Sequence, residues 1–216
     1  RGLMKRSGPI PSTMRGYDPS VFIYETDLEK AKELLIAGGF QEGDSFEYMI
    51  ASTNADDKAA AQLFQASLNE IGFDLSITEV DVATYDDMIY GDMPAEERPA
   101  IMGGWAWWPD YNDPWNQLAP NFLASAMNGG GSNAGAYVND RFEELMTQAE
   151  NFTVEEELDT LMVEIQQILT EEDPPAIFLG ETKYYTILQK DIGGFVPNPL
   201  YLGTYMFYDM YREQEA

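Results

Sequence analysis

The fold is decided by residues 46–78, FEYMIASTNADDKAAAQLFQASLNEIGFDLSIT, in which the hydrophobic period changes twice. Residues 46–50 alternate in the manner of a half-buried strand. From about Asp57 to Ile71, apolar side chains return at helical spacing, and Gly72 ends the predicted helix. This helix places on one side Leu63, Phe64, Ser67, Leu68 and Ile71. Residues 73–78 alternate again, which completes a strand, helix, strand unit.

The neighbouring segments extend this unit in both directions. Before it, Asp27 predicts the N-cap of a helix that Gly38 and Gly39 end, with an apolar face of Leu28, Ala31, Leu34 and Leu35. After it, residues 84–90 predict a short helix and residues 100–103 a buried strand. The order predicts an α/β fold, with a mixed or parallel sheet flanked by helices and parallel crossovers between its strands.

The second half of the sequence is more helical. Asn139 or Asp140 begins one predicted helix, and Thr153 with Glu156 forms a capping box for the next. The helical period of that second helix persists until Pro174 and Pro175 end it. Two short strands are predicted at residues 176–179 and 184–188, before a connection rich in Gly and Pro at residues 193–199 that predicts a domain crossover.

Composition excludes several classes of function. The chain has 12 Lys and Arg against 38 Asp and Glu, a net charge of -26 that repels nucleic acid and anionic lipid. The charge predicts either a surface adapted to high salt or acid, which we favour, or an electrostatic funnel for cationic ligands. His and Cys are both absent, which argues against serine-triad hydrolysis, thiolate chemistry and zinc sites. We therefore predict no catalytic residue, no metal and no cofactor.

Residues 103–115, GGWAWWPDYNDPW, hold all four Trp of the chain. This stretch follows a predicted strand, and α/β sheets bind ligands in loops at the carboxyl ends of parallel strands. A carboxylate at Asp110 beside indole rings suits a ligand with an ammonium group and apolar side chains. The alternative is that the Trp residues form core, with Asp110 and Asp113 in turn and cap roles. We favour the ligand site.

Six segments together resemble the family 5 solute-binding proteins of ABC transporters, of the oligopeptide- and dipeptide-binding type. They run through most of the chain in the order found in the family, and they are residues 8–11, 27–40, 62–73, 107–114, 133–139 and 164–175. The resemblance implies a periplasmic-binding-protein-like lobe of type II, cluster C-like. It covers only the C-terminal portion of such a protein. Residues 1–188 would form the ligand-binding lobe II, and residues 189–216 the hinge crossover and a segment returning to the missing first lobe.

The resemblance also implies a ligand site. Asp110 matches the family position that pairs with the α-amino group of a peptide, and Trp107 matches a residue that lines the pocket. Tyr185, or alternatively Tyr184, matches a tyrosine near the last crossover. Together with the loop aromatics, the predicted ligand-binding residues are Asp110, Trp107, Trp105, Trp108, Tyr111 and Tyr185. No Arg precedes the loop to meet a ligand carboxylate, and Asp110 with the absence of His argues against nickel or haem.

The predicted function is the substrate-binding component of an ABC importer, which captures a peptide or another amine-bearing solute between two lobes. The whole protein would be periplasmic or extracellular and monomeric, would carry a lipid anchor, and would deliver its ligand to membrane permease subunits. An oligosaccharide ligand is the main alternative, since a Trp-rich loop also suits sugar stacking. Less favoured are a sensory domain and a glycosidase that pairs Asp110 with Asp113 or Glu181.

Overall fold

The computed structural model describes residues 2–4, 8–104, 106–183, 185–198 and 206–213. Within them the strands are β1 (Gly2–Met4), β2 (Ser45–Ala51), β3 (Asp74–Val80), β4 (Ile101–Met102), β5 (Glu181–Lys183), β6 (Ile192–Gly193) and β7 (Tyr211–Arg212). The α-helices are α1 (Leu28–Ala37), α2 (Ala55–Glu70), α3 (Val82–Tyr90), α4 (Pro114–Phe122), α5 (Asp140–Glu150) and α6 (Glu155–Gln167). A π-helical turn at Ile168–Glu172 continues α6. Among the described helices, none has both the length and the apolarity to cross a membrane.

The central sheet has the strand order β3, β2, β4, and both of its pairings are parallel. Strand β2 pairs with β3 along its full length, from Ser45 opposite Asp74 to Ala51 opposite Val80. Strand β4 pairs through two residues, Ile101 and Met102. The predicted α/β order of elements is thus confirmed, with helices flanking a parallel sheet. Because the pairings are parallel, the loops that follow all three strands leave from one edge.

Side-chain caps explain where three of the helices begin. Asp27 accepts a hydrogen bond from the Lys30 N–H at 2.9 Å, as predicted for α1. Asn54 accepts from the backbone N–H of Asp57 at 3.2 Å and begins α2. Asn139 accepts from the Phe142 N–H at 2.9 Å and begins α5. Each cap satisfies a backbone donor that the first helical turn leaves without an intrahelical partner.

The buried apolar side chains form two clusters. The smaller one joins α2 and the sheet through Leu68, Ile71, Phe73 and Leu75. The larger one joins α4, α5 and α6 and includes Ile10 from the segment of residues 8–17. That N-terminal segment is held by Gln117 and Gln166, whose side-chain amides donate to the carbonyls of Pro9 at 3.2 Å and Gly16 at 2.7 Å. Residues 8–17 therefore belong structurally to the helical half.

Three local predictions are wrong. Residues 176–179 and 185–188 form no strand; the strand lies between them at β5, where it pairs with β1, and Tyr184 lies outside the described residues. Thr153 does not cap α6, since the helix begins one residue later than the capping box requires, after Val154. Leu63 is 73% exposed and Leu34 57% exposed, because only part of each predicted apolar face packs against the sheet.

Helix α4 was not predicted. Pro114 occupies its first turn, where a missing N–H costs no helical hydrogen bond, and Asp113 caps it by accepting from the Trp115 N–H at 2.8 Å. Its buried positions include polar residues, namely Asn116, Gln117 and Asn121. Its apolar residues do repeat at helical spacing, at Trp115, Leu118, Ala119 and Phe122, but Pro120 inside the helix is a signal against a helix in the sequence.

Beyond β5, the described chain forms a separate two-stranded ribbon. β6 and β7 pair antiparallel, with Ile192 opposite Arg212. Apolar side chains on either side of the ribbon are largely exposed, including Ile187 at 94% and Tyr208 at 96%. The assignment of residues 1–188 and 189–216 to different lobes remains a prediction.

Candidate functional site

The Trp-rich loop leaves the sheet at its carboxyl edge. It runs from Gly103, directly after β4, to the N-terminus of α4 at Pro114. The N-termini of α2 and α3 follow β2 and β3 at the same edge. This is the position in which open α/β sheets place their ligand sites, because loops from several strands converge there.

Asn116, in the first turn of α4, holds Trp107 and Asp110 together. The Trp107 indole Nε1–H donates to the backbone carbonyl of Asn116 at 3.1 Å. The Asp110 backbone N–H donates to Asn116 Oδ1 at 2.6 Å, and Asn116 Nδ2 lies 3.5 Å from Asp110 Oδ2. Asn116 itself is only 6% exposed. A loop broken by prolines is thus attached to the backbone and the side chain of one buried residue.

The loop presents a carboxylate among aromatic rings on an open surface. Asp110 is exposed, Trp107 is half-buried, and Trp108 and Tyr111 are 45% and 50% exposed. Trp115 instead packs against the helical core, so the alternative of a core role holds for that residue. Trp105 lies outside the described residues. The structure therefore brings together Asp110 and Trp107, with two further exposed rings next to them in sequence.

Tyr185 follows β5 and is 73% exposed. Tyr184, its alternative, lies outside the described residues. A role for either tyrosine in ligand binding remains a prediction.

Beneath the loop lies a buried polar cluster that the sequence reasoning missed. The backbone N–H of Gly104 hydrogen-bonds to the carboxylate of Asp57, a residue only 8% exposed. The Tyr85 hydroxyl donates to the carbonyl oxygen of Gly103 at 3.0 Å. Asn54 Nδ2 donates to Asp57 Oδ2 at 2.5 Å. An Asp in the first turn of a helix is an ordinary sequence feature, so no signal in the sequence marks this residue as buried under a loop.

Burial controls the protonation of this cluster. Desolvation raises the pKa of Asp57; the Gly104 N–H opposes that shift, while the charge of Asp56 adds to it. Desolvation likewise raises the pKa of Tyr85 to about 12, with the negative charge of Asp57 contributing, so Tyr85 stays a neutral donor at physiological pH. The pKa of Tyr48 is raised for the same two reasons.

The other two carboxylates considered for a catalytic pair have structural partners. Asp113 caps α4. Glu181 accepts hydrogen bonds from the backbone N–H of Ser12 at 2.6 Å and from its hydroxyl at 2.9 Å. A capping carboxylate and a carboxylate that holds a loop have ordinary reasons to be where they are, so these contacts lend no support to an acid/base pair with Asp110.

Comparison with known proteins identifies the class. Residues 4–129, more than half of the chain, match the family of bacterial extracellular solute-binding proteins, family 5 Middle. The chain belongs to this family. The resemblance predicted from the six sequence segments is thereby confirmed.

Similar curated proteins include the di/tripeptide-binding protein 4 of Pseudomonas aeruginosa, 29% identical over 89% of this chain, and the dipeptide-binding protein of Escherichia coli, 27% identical over 88%. The heme-binding protein A of Haemophilus influenzae is 28% identical over 88% of the chain. The alignments cover 35%, 35% and 34% of these proteins, so the chain spans about a third of the length of the curated relatives it matches. This partial coverage fits the prediction that the chain corresponds to one portion of the family fold.

Solved structures support the same assignment of the fold. The periplasmic binding protein DppA from Helicobacter pylori, in complex with the peptide STSA, superimposes with a TM-score of 0.76 at 26% identity, over 98% of this chain and 40% of that one. HbpA2 from Haemophilus parasuis gives a TM-score of 0.79 at 25% identity, over 96% of this chain and 40% of that one. The predicted periplasmic-binding-protein-like fold is confirmed.

Proposed function

We propose that this chain forms part of the substrate-binding component of an ABC importer that captures peptides or other amine-bearing solutes. Asp110 meets the ammonium group of the ligand, and Trp107, Trp108 and Tyr111 supply apolar contact area. The observation that carries the proposal is the exposed carboxylate of Asp110, held next to an anchored indole on a loop at the carboxyl edge of a parallel sheet. Trp105 and Tyr185 are further contacts in this proposal.

The electrostatics of the site explain why capture requires closure. An exposed pair of opposite charges contributes only about 0–1 kcal/mol, because water screens it. The Coulomb attraction within the same pair becomes several times stronger once a second surface excludes the water, and it can then outweigh the cost of desolvating the two charges. A cation over an indole face likewise gains from about 0.5 kcal/mol when exposed to about 2 kcal/mol when desolvated. In the proposed mechanism a second lobe closes over the ligand about the segment of residues 188–199, and the closed form is presented to the permease.

The proposed role is binding without turnover. Relatives named for dipeptides and for di- and tripeptides support a peptide ligand. A relative named for heme makes haem the necessary competing ligand to test. The exposed rings of Trp108 and Tyr111 would also stack on sugar, which keeps an oligosaccharide as the second candidate.

The decisive experiment is calorimetric titration of the whole protein that contains this chain. Trialanine is the test ligand, and N-acetyl-trialanine, which lacks the ammonium group, is its matched control; maltotriose and haem complete the panel. We expect trialanine to bind and the acetylated peptide to bind at least about tenfold more weakly, the loss expected for a desolvated charge-assisted contact. Equal affinity for the two peptides would refute the role of a carboxylate in amine recognition.

A pair of variants locates that carboxylate. Asp110→Asn is expected to lower trialanine affinity about tenfold or more and to abolish the preference over the acetylated peptide. Glu150→Gln removes the same charge from an exposed position on α5 and controls for the change in overall field. If both variants bind trialanine like the wild type, Asp110 does not contact the ligand. Binding of maltotriose or haem in place of trialanine would reassign the ligand.

A further inference from the structure

The point where the Trp-rich loop leaves the sheet is a single peptide group held from two sides. Its carbonyl oxygen, on Gly103, accepts from the Tyr85 hydroxyl at 3.0 Å. Its N–H, on Gly104, donates to the carboxylate of Asp57. Tyr85 belongs to α3 and Asp57 to α2, and their exposed fractions are 6% and 8%. Two different helices thus fix the orientation of one peptide plane.

Within the described residues, the sheet itself gives the loop little direction at this point. Strand β4 is two residues long, and the ladder ends with the Gly103 N–H donating to the Met49 carbonyl at 2.7 Å. The contact with Asp57 is also close, since a Cβ added to Gly104 would overlap Asp57 Oδ1. Glycine at this position therefore allows the carboxylate to reach the backbone.

An ionised carboxylate in the buried position of Asp57 lowers the free energy of unfolding. Ionised carboxylates are rarely buried, and desolvation raises the pKa of this one. A raised folded-state pKa means that the ionised form costs stability: its contribution to folding is most favourable at low pH and is lost as pH rises through that pKa. The ionised form is nevertheless the better acceptor for the Gly104 N–H. The carboxylate contacts the Asn54 side-chain amide and lies against Gly104, so it joins the N-terminus of α2 to the point where the loop leaves the sheet.

We infer that Asp57 is a positioning residue for ligand capture: its carboxylate orients the Gly103–Gly104 peptide and thereby sets where the loop carries Trp107 and Asp110. The inference rests on the proposed function for its effect on affinity. It makes ligand capture sensitive to pH, since protonation of Asp57 weakens its hydrogen bond to Gly104. The titratable groups that face Asp57 are Asp56 on its own helix, Tyr48 on β2 and Tyr85 on α3. Because the pKa values of both tyrosines are raised, the two hydroxyls stay neutral as pH falls and do not compete with Asp57 in this response.

The test compares Asp57→Asn with Asp56→Asn in the whole protein at pH 8. Asp56 is the adjacent residue in the same helical turn and is exposed, which makes it a matched control. We expect the amide of Gly104 to exchange with deuterium about tenfold faster in Asp57→Asn, and trialanine to bind about tenfold more weakly, each the equivalent of one hydrogen bond to a charged group. The melting temperature is expected to stay at or above the wild-type value. Asp56→Asn should match the wild type in exchange and affinity.

The pH profile distinguishes positioning from simple support of the fold. As pH falls from 8 through the raised pKa of Asp57, trialanine affinity of the wild type should decrease and approach that of Asp57→Asn, while the contribution of Asp57 to thermal stability becomes more favourable. If trialanine affinity and the contribution of Asp57 to thermal stability both decreased as pH falls, the inference would be overturned. So would a wild-type rate of Gly104 exchange in Asp57→Asn, whether or not trialanine binds. Failure of the wild type to bind trialanine, with faster Gly104 exchange in the variant, would instead refute the proposed ligand and retain the role of Asp57 in the loop.

Discussion

Replacement of Asn133 by Ala tests how the helical half is held together. Asn133 is 1% exposed, and its Nδ2 donates to the carbonyls of Tyr137 at 2.8 Å and Leu123 at 3.0 Å. Its Oδ1 accepts from the Tyr137 backbone N–H at 2.9 Å. A fourth contact, from Nδ2 to the Phe122 carbonyl at 3.5 Å, is long, so the three shorter hydrogen bonds at a net ~1 kcal/mol each give a loss of about 3 kcal/mol, and buried groups left without partners raise it toward about 5 kcal/mol.

Urea denaturation of the protein measures this loss. Asn151→Ala is the matched control, because Asn151 makes one exposed bond, from its Nδ2 to the Thr147 carbonyl at 2.8 Å. The control is expected to change the free energy of unfolding by less than about 1 kcal/mol. If Asn133→Ala costs no more than the control, the three shorter hydrogen bonds do not contribute as reasoned.

Asn133→Asp adds a pH dependence of known sign. The new carboxylate would face the carbonyls of Leu123 and Tyr137 in a buried position, and both desolvation and their partial negative charge would raise its pKa in the folded state. The stability of this variant should therefore be highest at acidic pH and decrease as pH rises through that raised value. A wild-type stability profile between pH 5 and pH 8 would contradict this.

Three further results are expected. Asn116→Ala removes the 2.6 Å acceptor of the Asp110 N–H and should weaken trialanine binding about fivefold, the worth of one ordinary hydrogen bond, with a measurable change in tryptophan emission; unaltered binding would show that Asp110 keeps its place without Asn116. Phe142→Ala removes a ring that is 0% exposed and should lower the free energy of unfolding in urea by about 3–5 kcal/mol. Phe152 is 37% exposed, and Phe152→Ala should lower it by under about 1.5 kcal/mol. Raising NaCl from 0.05 M to 1 M should raise the melting temperature. The net charge is -26, so salt weakens repulsion between like charges more than it weakens attraction within ion pairs. A lower melting temperature would mean that exposed ion pairs such as Arg141 with Glu164 contribute more than the repulsion does.

The parallel sheet could be predicted because its information is local. Strands β2 and β3 alternate, α2 between them repeats at helical spacing, and Gly72 marks the helix end. The prediction of a buried strand at residues 100–103 agrees with β4, whereas β5 was not predicted, because it exists only through its pairing with β1 and carries little period of its own. Helix α4 escaped prediction for a different reason, since Pro120 lies inside it and half of its six buried residues are polar.

The candidate site could likewise be predicted only where the information is local. Asp110 and the tryptophans were predicted from residue types concentrated in one loop, and their shared attachment to Asn116 was not, because that attachment depends on where α4 begins. Asp57 lies 47 positions before Gly104, and nothing in either local sequence indicates that they meet. Contacts of this kind come from the packing of whole elements, whereas local patterns indicate the elements themselves.

The attachment of residues 8–17 to α4 and α6 has a consequence for folding during synthesis. The partners Gly16 and Gln166 are 150 positions apart, while Phe46 and Ser76, which are hydrogen-bonded between neighbouring strands, are separated by 30. Closing the longer loop costs roughly 1.4 kcal/mol more chain entropy. At about 5–20 residues per second, a ribosome needs on the order of 8–30 s to pass from one partner to the other. During that interval the sheet can assemble as a local unit, while Ile10 and Met14 stay exposed until the helices that cover them have been synthesised.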